Sequence, residues 1–239
     1  MKNHIFSHIF KTEKPLLKMN LNNNSCYVIT KNLTIIYLPV LTKSSILTKF
    51  DINLLREKGF SHAKETKIEG NLFINEHNPL SQSYFFQNSD YLILAGYQDN
   101  SFKVFKEGID CKIQNTKMHM NFITCLSVSE KLNLIITGSK DCRLIVWNFD
   151  SSKGKFIIET TSVIYGHNCE LVCIEINEVL NVIVSIDKDG YLMIHSINSL
   201  RFLKGFRIEK EEKEVFSEVK IHCNGLILIK SKRFLHLYK

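Results

Sequence analysis

Apolar and polar positions alternate most clearly in Leu134–Trp147, LIITGSKDCRLIVW, where two β-branched runs flank a polar Gly-Ser-Lys-Asp turn. That pattern predicts a half-buried β-hairpin. The chain repeats it: residues 92–105 read LILAGYQDNSFKVF, 182–195 read VIVSIDKDGYLMIH and 227–238 read ILIKSKRFLHLY.

The copies share a phase. His77 to Asp99, His119 to Asp141 and His167 to Asp189 are each separated by 22 residues, and the Asp-to-Asp steps are 42 and 48. Six residues after each Asp stand the rings Phe105, Trp147 and His195. Four before each Asp stand the small residues Ala95, Thr137 and Ser185. Small residues again, Ser83, Cys125 and Cys173, follow each His by six. A period in this range, with several short strands in each, is the signature of a β-propeller in which one repeat supplies one four-stranded blade.

The central repeat divides into strands at Phe122–Val128, Leu134–Thr137 and Leu144–Trp147, with an outer strand near Phe156–Thr160. The next gives Leu171–Ile176, Val182–Ile186, Tyr191–Ile197 and Phe202–Ile208, and the last gives Glu218–His222, Leu226–Lys230 and Phe234–Tyr238. Upstream the signal weakens. Residues 1–24, with scattered Lys and the run Asn22–Asn24, read as a linker. Ser25–Thr30 and Leu33–Val40 predict a first hairpin, and residues 41–75 a long irregular loop or insert, with a strand at Ile46–Phe50 and a helical turn at Ile52–Lys58. The expected architecture is all-β: an incomplete propeller over residues 25–239 with about five recognisable blades, the first and last irregular. Since propellers normally close by pairing first and last strands, a loosely closed ring or an open arc with an available sheet edge follows.

Composition narrows the classes. Apolar content of 44% and charged content of 23% are ordinary for a globular protein, and the longest apolar stretch, near Ile35–Leu41, is too short to span a bilayer. Met1–Phe10 is broken by Asn3, His4, Ser7 and His8, which does not fit a signal peptide. Seven cysteines without a compact framework suit a reducing compartment, so a cytoplasmic location is expected, with possible contact at the periphery of endomembranes. Net charge is +7, yet it is uneven: +6 in residues 1–75, −2 in 76–205 and +3 in 206–239. A near-neutral repeat region argues against a nucleic-acid groove, which needs a concentrated basic stripe. The basic N-terminal part, or bound partners, offers a route to peripheral membrane association.

The His, Thr/Ser, Asp and ring positions resemble the hydrogen-bonded tetrad of WD-repeat propellers. In that family the turn Asp accepts from His, His bonds the strand hydroxyl, and the hydroxyl reaches the Trp N–H. His119, Thr137, Asp141 and Trp147 match throughout. His167, Ser185 and Asp189 are a partial set with His195 in the Trp place, and His77 and Asp99 are a weaker pair. The last unit has Lys232 in the Asp place, so no tetrad is expected there.

A closer resemblance covers roughly residues 70–239. Gly96–Phe105, GYQDNSFKVF, is similar to the DNSF-containing blade of BEACH-family (neurobeachin-like) proteins, and the two repeats that follow resemble that family's next two blades. LILIKSKRFLHLY is similar to its closing segment, and Phe6–Pro15 to the linker that precedes the propeller. The resemblance implies an interaction platform in vesicle trafficking. A WD-repeat adaptor in ribosome biogenesis, RNA processing or ubiquitin-ligase substrate reception is the alternative, because fold alone does not choose among them.

Other chemistry fits less well. Asp141, His119 and Thr137 mimic an acid–base–hydroxyl triad, but the repeat phase assigns them to a buried lock. His167, Cys169 and Cys173 fall short of a four-ligand zinc set, and Cys173 repeats Cys125 as a core strand residue. Ser185–Gly190, SIDKDG, lacks the first Asp and the twelfth-position Glu of a calcium loop and reads as a tight turn relieved by Gly190. No enzyme activity, cofactor or metal is expected, and the expected partners are other proteins. Gln98, Lys140 and Lys188, just before the turn Asp positions, are the candidates for partner contact.

Overall fold

A strand buried on both faces reads as a nearly continuous apolar run rather than an alternation, and Tyr91–Ala95 and Ile135–Ser139 are buried at every position. The structure, a computed structural model, describes residues 16–21, 25–30, 34–39, 64–67, 83–87, 91–106, 109–111, 116–151, 156–211 and 214–239. Within them all the regular structure is β, in five antiparallel sheets.

The first sheet holds β1 (Leu16–Leu21), β2 (Ser25–Thr30), β3 (Thr34–Pro39) and β4 (Lys64–Lys67) in that order. Two of its strands fall in segments where the sequence predicts none. β1 lies inside the stretch expected to be a linker, 1–24, and pairs with β2 through Met19↔Val28. Its alternation of Leu17, Met19 and Leu21 against Lys18 and Asn20 is a genuine strand signal that the neighbouring Asn run obscures. β4 lies within residues 41–75, where a long loop was expected, and pairs with β3 through Ile36↔Glu65. The strand and helical turn expected at Ile46–Lys58 fall outside the described residues.

The second sheet is β5 (Ser83–Phe85), β6 (Tyr91–Ala95), β7 (Phe102–Lys106) and β8 (Ile109–Cys111). The third is β9 (Ile123–Ser129), β10 (Leu134–Ser139), β11 (Leu144–Asp150) and β12 (Ile157–Ile164). The fourth is β13 (Leu171–Asn177), β14 (Val182–Asp187), β15 (Tyr191–Ser196) and β16 (Phe202–Arg207). The fifth has three strands, β17 (Phe216–Ile221), β18 (Ile227–Ser231) and β19 (Leu235–Tyr238). The chain divides into two compact units; β1–β4 lie in one and β9–β19 in the other.

The last three sheets share fine structure as well as strand order. Asn133, Asn181 and Gly225 occupy the first hairpin turn of each with φ of 54°, 56° and 87°, a region open to Asn and Gly. A bulge then falls one residue from the end of each first pairing, leaving Thr124, Val172 and Ser217 unmatched. A second bulge recurs in the outer pairing, where Thr161 and Leu203 are skipped opposite Trp147 and His195.

The third, fourth and fifth sheets pack face to face in turn. Cys125, Ile136, Leu144 and Val146 meet Leu171, Ile174 and Ile183 in one apolar cluster. Val184, Ile186 and Leu192 meet Phe216, Val219, Ile227 and Ile229 in the next. Polar ties cross the same seams. The Thr124 hydroxyl donates to the Leu171 carbonyl at 2.6 Å, the Asn177 amide donates to the Ile221 carbonyl at 2.8 Å, and the Ser129 hydroxyl bonds Glu178.

Candidate functional site

Every second residue of a strand shares one face, so Thr137 in β10 and Asp141 just beyond it approach the connection that carries His119. The Asp141 carboxylate accepts from His119 Nδ1 at 3.0 Å, from the Met120 N–H at 2.8 Å, and from the backbone and guanidinium of Arg143 at 3.1 and 2.7 Å. His119 Nε2 lies 2.8 Å from Thr137 Oγ1, which also accepts from Trp147 Nε1 at 2.9 Å. Proton bookkeeping then settles the tautomer. The indole N–H is only a donor, so the Thr137 hydroxyl hydrogen is left for His119 Nε2, and His119 donates from Nδ1 to Asp141.

Burial works to raise the Asp141 pKa, but the bonds from His119, Arg143 and the Met120 N–H outweigh it and hold the carboxyl well below the usual carboxylate range. The Thr137 hydroxyl is fully buried and bonded on both sides, a position that suits a register lock and not a nucleophile. Replacing Trp147 by Phe keeps a ring and deletes the donor, so thermal unfolding should show a loss of about 1–2 kcal/mol. Trp147 also meets Phe102 edge-to-face, with ring centroids 5.2 Å apart.

The fourth sheet repeats the lock with a different carboxylate. His167 Nε2 lies 2.8 Å from Ser185 Oγ, as expected, but His167 Nδ1 meets Asp187 at 3.0 Å, not Asp189. Asp187 is 2% exposed and its other oxygen accepts from the Tyr191 N–H at 2.9 Å. Asp189 sits outside in the turn and accepts from Cys169 Sγ at 2.9 Å. The physical reason is parity along the strand: Ser185 and Asp187 are i and i+2 on one face of β14, so the buried one reaches His167 first. In β10 the residue at Asp187's place is Ser139, which cannot serve as a carboxylate, and the turn residue Asp141 takes the role.

His195 takes the place of Trp147, opposite Ile183 as Trp147 is opposite Ile135. It is buried against Phe202, ring centroids 5.7 Å apart, and its Nδ1 has no hydrogen-bond partner among the described residues. Burial, helped by nearby His167, lowers its pKa. The unfolded chain therefore binds this proton more readily, and stability should fall as pH drops below about 6.5, the ordinary histidine value. His195→Phe should flatten that part of a pH–melting profile.

The weaker pair is split. Asp99 bonds Ser101 through both its N–H (3.2 Å) and hydroxyl (2.5 Å), while His77 lies outside the described residues. Asn100 in that turn has φ of 64°, the same as Cys142 after Asp141. Of the partner-contact candidates, Lys140 and Lys188 are brought together on one carboxylate, Glu170, at 3.8 and 2.7 Å. Gln98 is exposed in the equivalent turn of the second sheet. Cys173 and Cys125 are core residues, and burial raises the Cys125 thiol to about 12.

The last sheet holds a polar cluster that the sequence reading missed. Glu214 accepts from His236 Nε2 at 2.7 Å and bonds Ser231, the final residue of β18. Burial raises the Glu214 pKa, and these bonds more than reverse it. Ser231 stands in phase with Ser139 and Asp187, each the last residue of its strand and paired with the first residue of the strand before it, which puts Arg233, not Lys232, in the Asp place.

Comparison with protein families adds one finding: the model of the WD domain, G-beta repeat, matches residues 111–148. This stretch is a WD40 repeat. It contains all four members of the His119–Thr137–Asp141–Trp147 lock, and the all-β sheets around it have the WD β-propeller fold class. WD40 repeats generally build surfaces for binding other proteins, typically without catalysis.

Proposed function

We propose that this chain is a non-catalytic protein-interaction scaffold of membrane trafficking, working at the cytoplasmic periphery of endomembranes in the manner of BEACH-type propellers. The observation that carries the reading is the use made of its chemistry-bearing residues. In the WD40 repeat, carboxylate, imidazole, hydroxyl and indole are consumed in fixing strand register, so recognition falls to the loops that the lock supports. The turn Asp99–Phe102 supports the trafficking assignment. Its Asp99–Ser101 bonds and left-handed Asn100 feed Phe102 onto Trp147, giving the DNSF sequence a structural role next to the lock.

Affinity capture of the full chain from a cell lysate, read by mass spectrometry, tests this reading. Trafficking proteins are the expected catch, and Lys140→Gln with Lys188→Gln should weaken it while melting shifts only by the small amount that two surface ion pairs to Glu170 contribute. Exclusive recovery of ribosomal or nuclear assemblies would overturn the trafficking assignment.

A further inference from the structure

A strand paired on one side only presents a row of backbone N–H and C=O groups that another strand can take up. In the third and fourth sheets the fourth strand takes up that row. Leu144 and Val146 pair with Ile164 and Ser162, and Leu192 and Ile194 pair with Phe206 and Lys204. The fifth sheet stops at its third strand among the described residues. Tyr238 stands opposite Ile227 as Trp147 stands opposite Ile135, so Leu235 and Leu237 hold the places of Leu144 and Val146.

The Ser231 N–H donates to the Phe234 carbonyl at 2.9 Å. Phe234, His236 and Tyr238 therefore turn their backbone groups toward β18, while Leu235 and Leu237 turn theirs outward. The side chains of these two leucines share the face turned away from the fourth sheet, which meets Ile227 and Ile229 on the other face. They are 68% and 62% exposed, against 1% and 0% for Leu144 and Leu192.

Charge selects the occupant. Lys232 and Arg233 precede β19 and Lys239 follows it, all three exposed, and no Asp or Glu occurs between Val219 and Lys239. Glu218 is exposed on the same face as the leucines, but it lies on β17, two strands from the edge, and sits 4.0 Å from Lys230. Glu214 accepts from His236 on the other face, and Glu209 and Glu211 belong to the connection that leads into β17.

We propose that the β19 edge binds an extended acidic segment of a partner protein as a fourth, antiparallel strand. The two complete sheets give its pattern. A large apolar residue in the place of Ile164 or Phe206 stands opposite Leu235, and the residues after it run toward Arg233 and Lys232, where Asp or Glu is matched. Main-chain bonds supply affinity in such an addition, and alternate side chains supply specificity. A second copy fits worse: β19 against β19, with Leu235 opposite Leu237, sets Arg233 opposite Lys239 at both ends. The chain's own residues 1–15 fit worse as well, since they carry three Lys and one Glu. The proposal rests on the scaffold reading only in taking the occupant to be a protein, and it involves neither Lys140 nor Lys188.

Fluorescence anisotropy of the labelled peptide Thr-Ile-Thr-Val-Thr-Ile-Thr-Glu-Asp with the purified full chain tests it. The peptide should bind, and amide exchange at Leu235 and Leu237 should slow in the complex while exchange at Leu144 and Leu192 is unchanged. Pro in place of the peptide's Val removes the donor that faces Leu237 and should weaken binding at least about tenfold. Lys-Lys in place of Glu-Asp should weaken it about tenfold. Leu237→Pro removes only an outward-facing N–H, which an edge strand tolerates, so binding should be lost while melting changes little. Lys232→Glu with Arg233→Glu should reverse the preference, the Lys-Lys peptide then binding more tightly than the Glu-Asp one. Absence of binding would overturn the proposal, as would binding that leaves Leu235 and Leu237 exchange unchanged or that persists in both variants. Slow exchange at these two amides in the chain alone would assign the edge to a second copy or to the chain's own segment, which sedimentation tells apart, and either outcome overturns it. Capture from lysate tests Lys140 and Lys188, so the two readings can fail separately.

Discussion

Asp187→Ala should lower stability by about 3 kcal/mol, while Asp189→Ala, two residues away, should change it by less than about 0.5 kcal/mol. Removing Asp187 leaves the buried His167 Nδ1 and the Tyr191 N–H facing a void. Removing Asp189 frees only a solvent-facing Cys169 thiol. Equal losses for the two variants in denaturant titration would reject this assignment.

Asp141→Ala belongs with Asp187→Ala, at about 3 kcal/mol, since His119, Met120 and Arg143 all lose their acceptor. Asp141 also makes a pH prediction. Its folded pKa is depressed, so its contribution is complete above the unfolded value, about 3.9, and drains away as pH falls through that value toward the folded one. Asp141→Asn should remove this part of the acid limb.

The second large effect is expected at Gly138. A Cβ there would lie 2.7 Å from Cys125 Sγ, 2.8 Å from Ile174 Cδ1 and 2.9 Å from Leu171 Cβ. Two of these belong to the next sheet, so the glycine sets how closely the sheets approach. Gly138→Ala should cost about 1–3 kcal/mol by overpacking, and Gly138→Val more. Cys125→Ala should recover part of the loss, because the nearest obstacle is then gone. A double-mutant cycle measures that recovery directly.

The sequence exposed some of this plainly. Leu134–Trp147 shows its hairpin because its apolar runs are long and its polar turn short, and the 22-residue His–Asp spacing marks the repeat because both groups must meet. The error over Asp189 has a definite origin: spacing aligns positions, whereas hydrogen bonding selects whichever carboxylate is buried nearest the ring. Gly138 reads as part of a polar turn, yet it lies in β10, since its demand comes from a neighbouring sheet that no local pattern reveals. β1 is missed because six residues beside an Asn run carry little periodic signal. Glu214 and His236 escape because the final repeat replaces the expected residue types while keeping a polar contact between the same regions.

The hydroxyl of Thr124 serves a carbonyl that belongs to the following sheet, and Asn177 does the same one sheet later. The third and fourth sheets thus each complete part of their successor's backbone hydrogen bonding, and the influence of each stops there, as in a row of coupled neighbours. Thr124→Val would speed amide exchange in β13 while leaving β18 at its original rate. Damage in such a molecule has a range, and that range is one blade.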